Sequence, residues 1–471
     1  MFSYPSVIQS AFSTGEIIKL KNPNDQTDLV SVQYAQKSDL PALKNEILKR
    51  QKKVSTLKAY ERAEILLRFK SYLRDHQEDF AKLIAHEGGK PLRDARIEVE
   101  RAQTTIELCA EEAKRIAGEM IPMEKNRFGD GHLSFTVREP IGAVFALCAF
   151  NHPLNLICHQ VGASFAAGNT TLFKPAPSIP LTAWIVEEFF KSIQAEFAFL
   201  TVHLHIPEIE DLLQWSEFKF VQFIGSPEVG WTLPRKLSPG TRLSLELGGK
   251  AAAIVCETAD LSRAVNALLK SSFTHSGQVC ISTQKIYVHE SRLKEFSIAF
   301  TEGAKKLKAL DARSETSDLG PMIRESEAKR VFDWFHEALK EGASSLLTPV
   351  LQGSFLSPGI LLQPSKKSKV MTHEVFGPLV SLLSFNQTDE VIHELNLEEA
   401  PFEHCIFTQN LQEAFTLARE IKAQTLVIND HNAYRVDWMP FGGHEKAGLG
   451  MGGVKYAIEE MTKLKQIMIR S

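Results

Sequence analysis

The chain has 471 residues, 44% hydrophobic and 24% charged, with a formal net charge of -3 from 54 Lys+Arg against 57 Asp+Glu. That length predicts about two or three domains around a large buried core, and it excludes a peptide-sized module or a disordered chain. The near balance of charge gives no bulk attraction to nucleic acid or to an anionic membrane, so neither partner is expected.

From the N-terminus, Met1 to Leu20 lacks the basic-then-apolar order of a signal peptide. The basic run Lys44 to Lys53 reads as a solvated helix face. From Leu57 to Ile84, Ala63, Leu66, Leu67, Leu73, Phe80, Leu83 and Ile84 recur at three- and four-residue intervals, which predicts one amphipathic helix stopped by Gly88, Gly89 and Pro91. A second helix is predicted from Arg93 to Ile116. Short apolar strands follow at Ala143–Cys148, Thr170–Phe173, Leu200–His205 and Phe218–Ile224, with a helix at Leu181–Phe197 between them. After Lys250 the pattern resumes at Ala252–Val255, Lys285–Val288, Cys405–Thr408 and Leu426–Ile428. Alternation of this kind predicts parallel βαβ units, with chemistry at the carboxyl ends of the strands. Apolar runs such as Ile141 to Phe150 are too short to cross a bilayer. Cys109, Cys148, Cys158, Cys256, Cys280 and Cys405 show no CxxC or CxxH spacing. No metal site or disulfide framework is therefore expected, and a reducing, cytoplasmic setting is.

Several residue groups could carry chemistry. Phe218–Ile224 runs into Gly225-Ser226-Pro227-Glu228-Val229-Gly230, where Ser226 can cap a helix whose first amides would hold a phosphate. The same turn could be simple punctuation. Glu246-Leu247-Gly248-Gly249-Lys250 puts a carboxylate beside two glycines, suited to a base, although a surface loop would read alike. Cys280 follows Ser276-Gly277-Gln278-Val279, whereas Cys148 and Cys158 sit in apolar sequence typical of inert thiols. Asn151, in Phe150-Asn151-His152-Pro153, could donate to an oxyanion or merely form a turn.

Taken together, in order and spacing over nearly the whole chain, these segments resemble the aldehyde dehydrogenase superfamily. Phe150-Asn151-His152-Pro153 is similar to its Pro-Trp-Asn-Phe-Pro stretch, and Gly168 to Pro175 to its Gly-Asn-x-x-x-x-Lys-Pro segment. Phe223-Ile224-Gly225-Ser226 looks like the cofactor turn, Glu246-Leu247-Gly248-Gly249-Lys250 like the general-base signature, and Gly277-Gln278-Val279-Cys280 like the nucleophile signature. The 34-residue interval from Glu246 to Cys280 matches. His373 to Pro378 and Pro440-Phe441-Gly442-Gly443 complete the set.

The resemblance implies an α/β architecture. Residues 1–119 and 141–248 would form a doubly wound, Rossmann-like cofactor domain and 249–446 an α/β catalytic domain. Residues 120–140 and 447–471 would form a small β element joining copies into a homodimer or homotetramer. It implies Cys280 as nucleophile, Asn151 as oxyanion donor and Glu246 as the base that hydrolyses the thioester. NAD or NADP would be held by Lys174, Gly225, Ser226, Gly230, Leu247, Glu374 and Phe376, with Phe150 and Pro177 alongside. Many members read Lys-Pro-x-Glu, whose glutamate repels a 2′-phosphate; Pro177 stands there, which implies tolerance of NADP. The branch resembled includes lactaldehyde, semialdehyde and phosphonoacetaldehyde dehydrogenases. Anion-specific members often carry Arg just before the nucleophile, a position held here by Val279, leaving His159, Arg435 and Arg101 as candidate substrate contacts. A coenzyme A-acylating enzyme and a catalytically retired structural relative are the competing readings.

Overall fold

The strand and helix pattern closes into two separate twisted sheets in the computed structural model, which describes residues 2–470. Met1 and Ser471, the outer ends of the expected cofactor-binding and oligomerisation segments, lie outside the described residues. The first sheet runs Gly448–Leu449, Arg242–Glu246, Phe220–Ile224, Val144–Leu147, Thr171–Lys174, Phe199–Thr201; all neighbours are parallel except Gly448–Leu449 at the edge. Successive strands step outward from Val144–Leu147 in both directions, so a switch point lies beside that strand, where α/β sheets open a crevice. The second sheet has seven strands, with Lys285–His289 and Ala252–Val255 at its centre and an antiparallel edge at Ser344–Leu347.

Both sheets are covered on both faces, which explains why their strands read as continuous apolar runs. Val144 and Ala146 point into one apolar cluster while Phe145 and Leu147 point into another. In the second sheet Ala252 and Ile254 share one core, Ala253 and Val255 the other. Apart from these, His132–Pro140 pairs antiparallel along Thr462–Arg470 and with Met120–Ile121, forming a three-stranded sheet. Leu133, Leu464, Met468 and Ile469 on it are exposed. An N-terminal sheet of Val7–Ile8, Ile17–Lys21 and Asp28–Gln33 has no counterpart among the sequence expectations.

Several expected elements differ. The helix predicted over Leu57–Ile84 is two, Ala59–Asp75 and Gln77–Gly88, broken where His76 leaves helical geometry and packs its ring on Phe2 and Tyr72. The apolar period continues across the break, so periodicity could not reveal it. The strand expected at Leu200–His205 is confined to Phe199–Thr201: the Val202 amide makes the last bond to the neighbouring strand, at Phe173 O, and from His203, whose carbonyl accepts from the Ala35 amide, the chain turns away. The predicted Leu181–Phe197 helix ends at Ser192, two residues before Gln194 turns left-handed at φ 57°. The helix Leu40–Val54 carries the basic run outward, save Arg50, which is buried and donates to the carbonyls of Glu196 and Phe199.

Candidate active site

A cleft of about 1560 Å³ separates the carboxyl ends of the first sheet from the amino ends of the second. The first sheet supplies Asn151, just after Val144–Leu147; Gly225 and Ser226, after Phe220–Ile224; and Glu246, the last residue of its strand. From the second come Cys280, before Lys285–His289, and Glu374 and Phe376, before Leu379–Phe385. Half of the cluster thus lies at strand amino ends, opposite to the place that parallel-sheet reasoning selects.

The Cys280 loop is held rigidly. His275, Ser276 and Gly277 occupy the left-handed region in succession, at φ 50°, 55° and 70°. For the two non-glycine residues this stores about 1–3 kcal/mol each. Side chains lock the turn: Ser276 Oγ donates to Gly320 O at 2.6 Å, and Gln278 donates to His275 O and accepts from Ile323 N at 2.9 Å. A Cβ at Gly277 would lie 2.2 Å from the Gly377 carbonyl oxygen, so only glycine fits. Asn151 Nδ2 donates to Gln278 O at 3.0 Å, tying the amide of one sheet to the thiol loop of the other.

Of the six cysteines, Cys280 alone is not buried. Desolvation pushes its thiol up, reinforced by Glu374 and opposed by Arg435, so the resting group is protonated and needs a base. Burial also raises Glu246, against the pull of Arg435, which makes its carboxylate a stronger proton acceptor. Glu374 is pushed up to about 8 by desolvation, and its Oε1 is buried without a hydrogen-bond partner. Beside it, a Cβ at Gly248 would fall 1.9 Å from Glu374 Oε2, leaving a cradle that only glycine permits. The Phe150 and Phe376 rings meet edge-on at 6.0 Å on the cleft wall.

Phe150, Pro177, Leu247, Val279 and Arg435 line the same cleft. Lys174, Gly230 and His159 do not. Lys174 ends its strand at the cleft's first-sheet side, where burial lowers its ammonium to about 8 with no carboxylate paired to it among the described residues. Gly230 is buried with its Cα against Leu247, where a Cβ would meet a methyl at 2.4 Å; it serves packing. The expected phosphate-binding helix is only Pro227–Gly230, capped by Ser226, so an anion there would depend on local amides and little on a macrodipole. His159 is engaged elsewhere: Nε2 donates to Asp437 Oδ1 at 2.9 Å, and the ring faces a small cavity behind Glu246. Arg101 lines the cleft, yet is committed to both oxygens of Asp437 at 2.7 and 3.1 Å.

Sequence reasoning passed over the pair Lys90 and Glu98 beneath Asn151. Their spacing on a loop and the following helix, Leu92–Arg115, gave no motif, because Arg93, Asp94, Arg96, Glu100 and Arg101 surround them in sequence and nothing there marks which charges are buried.

This geometry agrees with what the chain is similar to. The aldehyde dehydrogenase family model matches residues 10–467. The chain belongs to the aldehyde dehydrogenase family. It is 40% identical to the 3-sulfolactaldehyde dehydrogenase of Priestia aryabhattai, over 97% of this chain and 96% of the relative. Among solved structures, aldehyde dehydrogenase 21 from Physcomitrella patens, in complex with the reaction product succinate, superposes with a TM-score of 0.93 at 31% identity, covering 97% of this chain and 95% of that one. Glyceraldehyde-3-phosphate dehydrogenase from Methanocaldococcus jannaschii, complexed with NADP, gives 0.91 at 32% identity, covering 96% and 99%. As an aldehyde dehydrogenase the chain is an oxidoreductase acting on aldehydes, and among the described residues no helix is long and apolar enough to cross a membrane.

Proposed function

We propose that the protein oxidises a small aldehyde bearing an anionic group to its carboxylic acid, with NAD(P) as oxidant and Cys280 as nucleophile. The observation that carries this reading is that the one unburied thiol shares a cleft with Asn151, Glu246 and Glu374. The unpartnered Glu374 Oε1, the Gly248 cradle and the unpaired Lys174 ammonium fit a dinucleotide, whose ribose hydroxyls would satisfy the carboxylate and lysine. When bound, NAD(P) supplies the hydride acceptor. Pro177 at the cleft leaves a 2′-phosphate unopposed, so NADP should be accepted.

Cys280 Sγ, once its proton has passed to a base, adds to the aldehyde carbon, and the carbonyl oxygen becomes an oxyanion. Asn151 Nδ2 and the Cys280 amide would hold that charge; losing one such donor typically costs about 100–1,000-fold. After hydride loss Cys280 carries a thioester. Glu246 takes a proton from water, the water adds to the thioester carbon, and the acid leaves as the thiol is restored. That carboxylate favours hydrolysis over transfer to coenzyme A.

Arg435 supports an anionic substrate. Its guanidinium lines the cleft, stacks 3.5 Å from the Phe441 ring centroid, and pairs with no carboxylate among the described residues, leaving Nε buried without a partner. Of the relatives named above, two are named for a sulfonate- and a phosphate-bearing aldehyde, and the third is in complex with its product succinate. Cys280→Ser should abolish reduced-dinucleotide formation, and near wild-type turnover by it would overturn the nucleophile. Arg435→Met should raise KM for succinic semialdehyde far more than for butanal; equal effects would remove the anion from the reading. The exposed apolar residues of the His132–Pro140 and Thr462–Arg470 strands would join copies into a dimer or tetramer, which sedimentation as a monomer would contradict.

A further inference from the structure

We propose that the buried Lys90–Glu98 pair is the positioning element for the Asn151 amide, fixing the chain on its C-terminal side so that Nδ2 reaches the oxyanion. This rests on the reading of Asn151 as oxyanion donor.

Lys90 and Glu98 are each 2% exposed, and their side chains are ion-paired. Such a pair is costly to bury and gives little net stability over an apolar substitute, so its placement calls for another reason. Its remaining side-chain hydrogen bonds all go to the residues after Asn151. Glu98 Oε1 accepts from the amides of Leu154 at 2.9 Å and Asn155 at 3.2 Å, the first turn of the Pro153–Ile157 helix. Lys90 Nζ donates to His152 Nδ1 at 2.8 Å. An ammonium has no acceptor, so Nδ1 must be unprotonated and His152 neutral. Burial and the Lys90 charge push that imidazole down to about 4, in keeping with this contact. Burial acts to raise Glu98, but the Lys90 ammonium beside it outweighs this and keeps the carboxylate charged.

Asn151 is therefore clamped at two points. Its own amide meets Gln278 O across the cleft, and the next residues are fixed by one buried charge pair. Remove the ammonium, and His152 is free to shift relative to Asn151 while Glu98, which holds the helix start, loses the partner that places its carboxylate. A displacement of about 1 Å is enough to cost on the order of 100-fold at a reacting centre.

A double-mutant cycle tests this, with the pre-steady-state burst of reduced dinucleotide measured under saturating NADP and whichever of propanal, glycolaldehyde or succinic semialdehyde the wild type turns over fastest. Lys90→Met should slow the burst by roughly 10–100-fold, and Asn151→Ala by roughly 100–1,000-fold. In the Asn151→Ala background, Lys90→Met should add less than about twofold, because the group it positions is gone. NADP affinity should stay unchanged in Lys90→Met. If the single variant does not fold, Lys90→Met with Glu98→Gln removes both charges, leaves no uncompensated buried carboxylate, and enters the same cycle with the same expectation. Loss of burst in Asn151→Ala to which the Lys90 change adds its full factor overturns the positioning role alone. An unharmed burst in Asn151→Ala overturns the oxyanion assignment, and the proposal with it.

Discussion

Gly452→Ala should separate the two halves of the reaction. A Cβ at Gly452 would lie 2.6 Å from Glu246 Oε1 and 2.8 Å from the Phe441 carbonyl oxygen. Ordinary contact begins near 3.4 Å, so the clash with the carboxylate is about 0.8 Å. The backbone cannot retreat, because Phe441 and Gly452 exchange both amide hydrogen bonds, at 3.1 and 2.6 Å. Nor does Gly452 have a positive φ, so alanine brings no φ strain; its Cβ is pressed between the Phe441 carbonyl and the base, and of the two the flexible carboxylate gives more readily. The carboxylate must move by most of that 0.8 Å, and a shift of about 1 Å costs on the order of 100-fold. Asn151 and Cys280 lie outside the clash. In stopped-flow absorbance of the reduced dinucleotide, the first turnover should persist as a burst while steady-state release falls by roughly 10–100-fold. An unchanged steady state, or a burst lost in equal measure, would refute the assignment of Glu246 to hydrolysis.

Gly277→Ala should remove burst and steady state together and lower the denaturant midpoint. A left-handed alanine costs about 1–2 kcal/mol and backbone overpacking about 1–3 more, and a wild-type melt and rate would contradict the rigid-turn account. For Glu374, whose acid form persists to about 8 in the folded chain against an ordinary value of 4.5, the folded state holds the extra proton between those limits. Stability is then lost as pH rises through that window. Glu374→Gln should therefore gain stability over the parent toward pH ~8, the gap closing near pH ~5, while its NAD(P) affinity falls; parallel pH–stability curves would count against the burial of this carboxyl. Asp437→Asn removes the charge shared by Arg101, His159 and Asn155, so KM for anionic aldehydes should rise as the Arg435 loop loosens, and an unaltered KM would show that the loop is held by other contacts.

Much of the reaction centre was legible because its parts are sequence-local. Glu246 precedes two glycines, Cys280 follows Gly277-Gln278, and Asn151 stands between a strand and a helix-starting proline. Strand positions such as Ala252–Val255 were equally plain, since strands buried on both faces are runs of apolar residues. What stayed hidden depends on distant partners. His159 has the residue type of a substrate contact, but Asp437, 278 positions later, accepts its Nε2 hydrogen bond. Lys90 and Glu98 look like solvent charges until both are found 2% exposed. Gly230 reads as part of an anion loop, yet only the fold shows Leu247 filling the space over it. The break at His76 leaves no mark on the apolar period that surrounds it.

The nucleophile and its base hang from two scaffolds with separate hydrophobic interiors. Heat or mild urea need only let one slab slide slightly past the other to silence the enzyme, well before either slab melts. Loss of turnover should therefore precede loss of far-ultraviolet circular dichroism, making catalysis the more sensitive thermometer of this molecule.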